Sequence, residues 1–340
     1  MRTNLQLFAF GLSFVLLSVG GAYYALWSSG ADLTHLNVLA NLEVTHIVSL
    51  VVLCAGIYVT DLLRYRCLGK AVGVKVSSAA ALDASVANFF FSWITPGSTF
   101  GAPASIYMLA RRRVPWDAAV VIAFGKAFTG VALICFVSLV LVALELGPDF
   151  DEQLLYLVLF GGGVFLVLVS AITLAAFRPR GAKRRVSSLF ARFGQGRRPW
   201  LHSVERVTNQ CIDRLSLLRG GGAPLLLTLS HTLYFATFVG VVLVLIVAFG
   251  GEANLAAAAT TVVYIAFTYI APTPGGAGFA EAMAVPFFGH VLPPEDAVMM
   301  VLCFRALTLA LQLGFGLPYL LVVGGVREAL RRSEKEGPSE

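Results

Sequence analysis

The sequence predicts an all-α polytopic membrane protein with six transmembrane helices plus two re-entrant broken-helix hairpins in an inverted-topology repeat. Three observations predict it. The 340 residues are 58% hydrophobic and only 13% charged, with a mean hydropathy of +0.81, a composition suited to lipid rather than to a water-soluble core. One motif occurs twice inside apolar sequence: Thr95-Pro96-Gly97-Ser98-Thr99-Phe100-Gly101-Ala102 is echoed by Thr273-Pro274-Gly275-Gly276-Ala277-Gly278-Phe279-Ala280. Finally, Lys and Arg are segregated from the acidic loops along the whole chain.

Apolar runs of roughly 20 residues, the length a helical crossing takes, lie near residues 5–27, 46–63, 116–144, 153–177, 223–249 and 296–323. The first run exceeds the h-region of a signal peptide and more spans follow, so an uncleaved helix is expected. Stretches 78–110 and 254–288 carry the Thr-Pro-Gly breaks and read as hairpins that enter and leave by one face. With the N-terminus in the cytoplasm, all 25 Lys and Arg except Lys126 and Arg305 then fall on cytoplasmic segments, Arg64, Arg66, Lys70 and Lys75 among them. The external loops carry only acids, such as Asp32, Glu43, Glu145, Glu252, Glu295 and Asp296. This pattern predicts a multi-pass protein of the cytoplasmic (inner) membrane with both termini inside.

The order span, span, hairpin, span occurs twice and starts from opposite faces. It gives repeat A at about 5–146 and repeat B at about 153–325 within a single transmembrane domain covering 1–340. A cytoplasmic connector, 178–222, joins the halves. Val204, Val207, Cys211, Leu215 and Leu218 recur there at helical spacing, the pattern of an amphipathic helix at the interface. A cytoplasmic tail follows at 326–340.

The net charge of +6 is accounted for by basic loops lying against anionic headgroups, so no nucleic-acid partner is expected. Five cysteines with no CxxC spacing predict neither disulfides nor a metal site. No GxxxxGK[ST], HExxH or GxSxG motif occurs, so neither a cofactor nor enzymatic activity is expected, and a gradient would have to drive any transport.

The chemistry centres on two intramembrane cations. Lys126 lies about ten residues inside a span opening at Trp116, roughly 15 Å deep in a hydrocarbon core of about 30 Å. Arg305 lies as deep, counted from Glu295 on the other side. A bare charge at that depth costs at least about 2.5–3.5 kcal/mol, so it needs a partner. The alternatives are a mobile anion, or permanent neutralisation by Asp83 and Glu281. After each break a short helix is predicted, near Gly101 to Leu109 and near Gly278 to Phe288. Their N-termini would face inward and offer N–H groups to a phosphate. The candidate substrate-binding residues are therefore Lys126, Arg305, Glu281, Thr95, Gly97, Ser98, Gly101, Thr273, Gly275, Gly276 and Gly278. Asp83, Asn88, His231 and Tyr269 are secondary, with Glu281 read mainly as a helix cap and His231 mainly as a packing residue.

Asn88-Phe89-Phe90-Phe91-Ser92-Trp93-Ile94-Thr95-Pro96-Gly97 with Gly101, and Pro272-Thr273-Pro274-Gly275-Gly276-Ala277-Gly278-Phe279-Ala280-Glu281, resemble the lysylphosphatidylglycerol synthase transmembrane-region family. That family includes YbhN-like proteins and the flippase half of the multiple peptide resistance factor. The resemblance implies paired re-entrant hairpins, translocation of phospholipids or glycolipids, and roles for Gly275, Gly276, Gly278, Glu281 and Arg305. Many members carry a PxRxGE-like pattern at the first motif, where this chain has Ser98 and Ala102. The aminoacyl-transferase half has no counterpart in these residues, so lysine transfer is not implied and a separate enzyme would synthesise the headgroup.

Together these readings predict a flippase-like transporter for an anionic phospholipid or a lipid-linked sugar. The alternatives are an intramembrane lipid-modifying transferase and a secondary transporter of small organic anions.

Overall fold

The computed structural model describes residues 42–146, 177–193 and 199–323 except 96, 97, 272 and 274, with scattered positions from 19 to 30 and from 156 to 170. The described residues form helices and no strands. The expected spans 5–27 and 153–177, the tail 326–340 and Gly97 lie largely or wholly outside them.

Four helices are long and apolar enough to cross a membrane: Val44–Ala71, Trp116–Ala143, Ala223–Ala248 and Pro294–Val323. The chain is a multi-pass membrane protein. We label Val44–Ala71 α1, Ser78–Ile94 α2, Gly101–Arg111 α3 and Trp116–Ala143 α4. The connector folds as α5, Pro179–Phe193, and α6, Pro199–Leu217. Ala223–Ala248 is α7, Leu255–Ile270 is α8, and Phe279–Ala282 and Ala284–Phe288 are α9 and α10. The last is α11, Pro294–Ala310, which runs through a π-helical segment, Leu311–Gly316, to Val323.

Local chemistry fixes these boundaries. Ser77 caps α2 by accepting a hydrogen bond from the Ala80 N–H (3.2 Å), and Asn254 caps α8 through the Ala257 N–H (3.0 Å). Both helices then end just before a proline, at Thr95-Pro96 and Ala271-Pro272, because the residue before proline is driven out of the helical region. At 17, 11 and 16 residues, α2, α3 and α8 are each shorter than the roughly 20 that a straight crossing takes. The order long, short, short, long recurs. Its members start at Val44, Ser78, Gly101 and Trp116, and again at Ala223, Leu255, Phe279 and Pro294, a shift of about 178 residues.

The second short element departs from expectation. A continuous helix from Gly278 to Phe288 is predicted, but it breaks at Met283 into pieces of four and five residues.

At the centre α1 packs along α7, with Gly56 against Thr237 and Gly240 against Leu53. The small residues let the two backbones approach, which is how helices associate where lipid supplies no hydrophobic drive. α2 and α3 fold against each other, and α3 packs on α4, around Ala80, Ala84, Ile106, Leu109 and Ile122. The connector is tied down by Arg214 of α6, which donates to Asp117 Oδ2 at the start of α4 (2.8 Å) and to the Val72 carbonyl after α1 (3.0 Å).

Gly101 controls the α2–α3 contact. A β-carbon there would collide with Ser92 Oγ and lie 2.6 Å from Asn88 Nδ2. Overpacking of this kind costs about 1–3 kcal/mol. Gly101→Val is therefore expected to lower the thermal midpoint of detergent-solubilised protein, whereas Gly181→Ala, on an open helix surface, does not lower it.

Candidate functional site

Two polar clusters occupy the interior, joined by α2. The first is built on Asp61, which sits on the buried stripe of α1 with Cys54, Tyr58, Tyr65 and Leu68 and is fully excluded from solvent. Its carboxylate takes two cations. Lys126 Nζ of α4 donates to both carboxylate oxygens (3.0 and 3.1 Å), and Arg64 Nη1 donates to Oδ1 (2.9 Å). Ser85 Oγ of α2 adds a 2.6 Å hydrogen bond to Oδ2. Lys126 spends its remaining donor on Asn88 Oδ1 at 2.8 Å.

Arg64 is as buried as Lys126, each 4% exposed. Its guanidinium lies 4.0 Å from the centre of the Tyr234 ring, a cation–π contact strengthened by the absence of water. Nη2 donates to the Lys126 carbonyl (3.3 Å), and Nε is buried without a hydrogen-bond partner. Gly130 of α4 leaves the room: a β-carbon there would lie 2.5 Å from Arg64 Nη2. Counted formally, two cations share one carboxylate, a surplus of one positive charge in this cluster among the described residues.

The second cluster ties together the two Thr-Pro-Gly tips. Arg305 of α11 donates from Nε to Glu281 Oε1 of α9 (3.0 Å) and from Nη1 to the Gly275 carbonyl. Its guanidinium lies over the Trp93 ring of α2, 4.5 Å from the centre. A β-carbon at Gly275 would lie 3.1 Å from Trp93, so the tips touch there. Gly275, Gly276 and Gly278 all have positive φ, between 54° and 78°, which only glycine adopts without strain. Gly278 also lies directly under Gly21, whose β-carbon would collide with its backbone.

Several expected residues thus meet. Lys126, Asn88 and Gly101 belong to the first cluster or abut it, and Arg305, Glu281 and Gly275 form the second. Thr95 and Ser98 shape the first tip: Thr95 Oγ1 donates to the Phe91 carbonyl (2.6 Å), and Ser98 has φ of 55°. Thr273 Oγ1 is buried at the second tip without a partner. Tyr269 meets the Phe235 ring edge to face, ring centres 6.2 Å apart, and His231 packs between α7 and α4 with Nδ1 2.7 Å from the Leu227 carbonyl and Nε2 3.2 Å from that of Lys126.

Three expectations are corrected. The cations are not bare: Arg305 is paired with Glu281, as one of the two alternatives had it, and Lys126 with Asp61, which neither alternative named, because burial makes an unpartnered charge too costly. Asp83 does not serve Lys126. It binds Arg112 Nε (2.6 Å) and accepts from the Tyr319 hydroxyl (2.8 Å). The helix starts are also poorer donors than expected. In the first turn of α3 the Gly101 N–H is taken by the Ser98 carbonyl (3.3 Å) and Pro103 has no N–H. The helix after Gly278 is only one turn long.

Sequence reading missed Asp61 altogether and put Arg64 on a cytoplasmic loop. The signal was present: 54, 57, 58, 61, 64, 65 and 68 recur at three- and four-residue spacing along one helix face.

The family model described as the lysylphosphatidylglycerol synthase TM region matches residues 6–316. The chain belongs to that family. No curated protein matches the sequence.

Breaking a buried pair by removing one partner costs about 3–5 kcal/mol. Asp61→Asn is expected to lower the thermal midpoint in detergent strongly, because Arg64 and Lys126 would then face each other. Adding Lys126→Gln should recover much of that loss. Strictly additive losses in this double-mutant cycle would show that no carboxylate is shared.

Proposed function

Taking its place in a membrane-lipid family as the premise, we propose that this chain is a flippase-like transporter moving an anionic phospholipid or glycolipid between leaflets of the cytoplasmic membrane. One observation carries the reading: two buried cations share a single carboxylate roughly a third of the way in from one end of the long helices α1 and α4. A surplus charge in low dielectric favours any ligand that brings a negative one. A phosphate fits, because it accepts charge-assisted hydrogen bonds from both Lys and Arg. In this reading the phosphate competes with Asp61 for Lys126 and Arg64, while the acyl chains stay in the bilayer.

The recurrence of helix order at a shift of about 178 residues supports two halves of inverted topology, with α2–α3 and α8–α10 as re-entrant hairpins. The segregation of Lys and Arg supports six spans with both termini in the cytoplasm. Rocking of one half against the other would then expose the headgroup to each face in turn, as in other inverted-repeat transporters.

The variant that tests this is Lys126→Gln, because it leaves Arg64 and Asp61 as a balanced pair. In proteoliposomes with an acyl-labelled anionic phospholipid, it is expected to slow dithionite-detected flipping at least about tenfold, equivalent to about 1.4 kcal/mol. The background rate for a labelled phosphatidylcholine should not change. Wild-type rates from a folded variant would reject the triad as the headgroup site.

A further inference from the structure

Resting on that reading, we infer that the site carries its lipid as a monoanion without an accompanying proton, so that the membrane potential itself drives the headgroup toward the positive face. Charge balance in the Asp61 cluster supports this. Empty, the cluster holds Lys126 and Arg64 against one carboxylate, a formal charge of +1. A phosphodiester brings one negative charge, and the loaded cluster is then neutral with Asp61 still ionised. A proton on Asp61 would restore the very surplus that the lipid cancels, in a place where uncompensated charge is expensive.

Hydrogen bonding favours the same state. Asp61 accepts from Arg64 Nη1 at Oδ1 (2.9 Å) and from Ser85 Oγ at Oδ2 (2.6 Å). Both bonds survive when Lys126 turns to the phosphate, so the carboxylate keeps a cation and a hydroxyl donor. Arg64 is held in place: it lies one turn from Asp61 on α1, under the Tyr234 ring, with Nη2 on the Lys126 carbonyl. Its Nε, buried without a partner, leaves it a donor to spare while Nη1 stays on Asp61. Lys126 comes from a different helix, and its remaining hydrogen bond is to a neutral amide, Asn88 Oδ1. It is the cation that can change partners.

The other titratable groups around Asp61 leave the count unchanged. Tyr58 and Tyr65 of α1, Tyr234 of α7 and Tyr269 of α8 are phenols, uncharged near neutral pH. A neutral His231 ring meets both its neighbours, with Nδ1–H donated to the Leu227 carbonyl (2.7 Å) and Nε2 accepting from the Thr129 hydroxyl (3.2 Å). α2 contributes only Ser85 and Asn88, which do not titrate. Farther off, Glu281 is balanced by Arg305 and Asp83 by Arg112. The transporter therefore crosses neutral when loaded and returns with one positive charge when empty. Each cycle moves one negative charge, and an inside-negative potential favours the outer leaflet.

The test reconstitutes the full chain in phosphatidylcholine vesicles with a trace of acyl-labelled phosphatidylglycerol, a phosphodiester monoanion. Valinomycin and a potassium gradient clamp the potential. At steady state, an inside-negative potential of about 100 mV is expected to leave the label about 50-fold richer in the dithionite-accessible leaflet. That ratio is the equivalent of about 2.3 kcal/mol for one charge across 100 mV. Reversing the potential should reverse the distribution, whichever way the protein is inserted. A pH gradient at zero potential should leave the label evenly shared. Redistribution by the pH gradient, or none by the potential, would overturn the proton-free monoanion and leave the phosphate site standing. Lys126→Gln protein that flips the label as fast as wild type overturns the flippase reading of this site itself, whatever the potential does.

Discussion

The carboxylate of Asp61 is the constraint on which the interior depends. Four helices converge on it: α1 supplies Asp61 and Arg64, α2 supplies Ser85 and Asn88, α4 supplies Lys126, and α7 covers Arg64 with the Tyr234 ring. Lipid gives helices little reason to associate beyond close packing and polar contacts. A desolvated ion cluster adds a directional reason, because every alternative arrangement leaves a charge in hydrocarbon. Ser85 and Asn88 saturate the carboxylate and the ammonium, and Gly130 keeps space for the guanidinium. The cluster thereby fixes the register of α1, α2 and α4 at one depth. It still leaves one positive charge formally unbalanced within the cluster, the feature on which the proposed anion site rests.

The two halves share geometry but not charge. Shifting Asp61 and Arg64 by about 178 residues lands on Val239 and Val242 of α7, and Asn88 falls on Ala266 of α8. Only the deep cations, Lys126 and Arg305, have matched positions. Lys126 shares its counter-ion with a second cation, whereas Arg305 has Glu281 to itself. A recurring helix order thus carries two different electrostatic characters, one cluster with a cationic surplus and the other neutral.

Much of this was legible from sequence where the signal was periodic or repeated. The four longest described helices lie where hydropathy puts them, and the breaks fall at the two Thr-Pro-Gly motifs because proline and glycine act through local backbone sterics. Lys126 and Arg305 were found because a lone cation in an apolar run is conspicuous. Their partners were harder to see. Asp61 and Arg64 lie where hydropathy falls away, so a window average ends the span near residue 63 and assigns Arg64 to a loop. The helix in fact continues to Ala71, and helical spacing rather than hydropathy identifies the pair as inward-facing. The break at Met283 and the π-helical segment after Ala310 depend on tertiary packing, and no local residue pattern announced them.

The glycines at the tips serve a different end from the phosphate cradle that their spacing evokes. Gly275 makes room for Trp93, Gly278 for Gly21, and Gly101 for Ser92 and Asn88, so each permits protein to meet protein. The junction between the tips is correspondingly slight among the described residues. Arg305 makes its hydrogen bonds within the second half, to Glu281 and Gly275, and reaches the first half through one ring face, Trp93. A cation–π contact is worth about 0.5–2 kcal/mol, far less than the buried ion cluster a few turns away. Parting the tips therefore sacrifices a ring contact and leaves both ion pairs intact. Separating α1 from α4 would instead pull Asp61 off Lys126. The polar contacts thus place the weak seam where the two Thr-Pro-Gly turns meet and the strong joint around Asp61, the division that the proposed rocking would require.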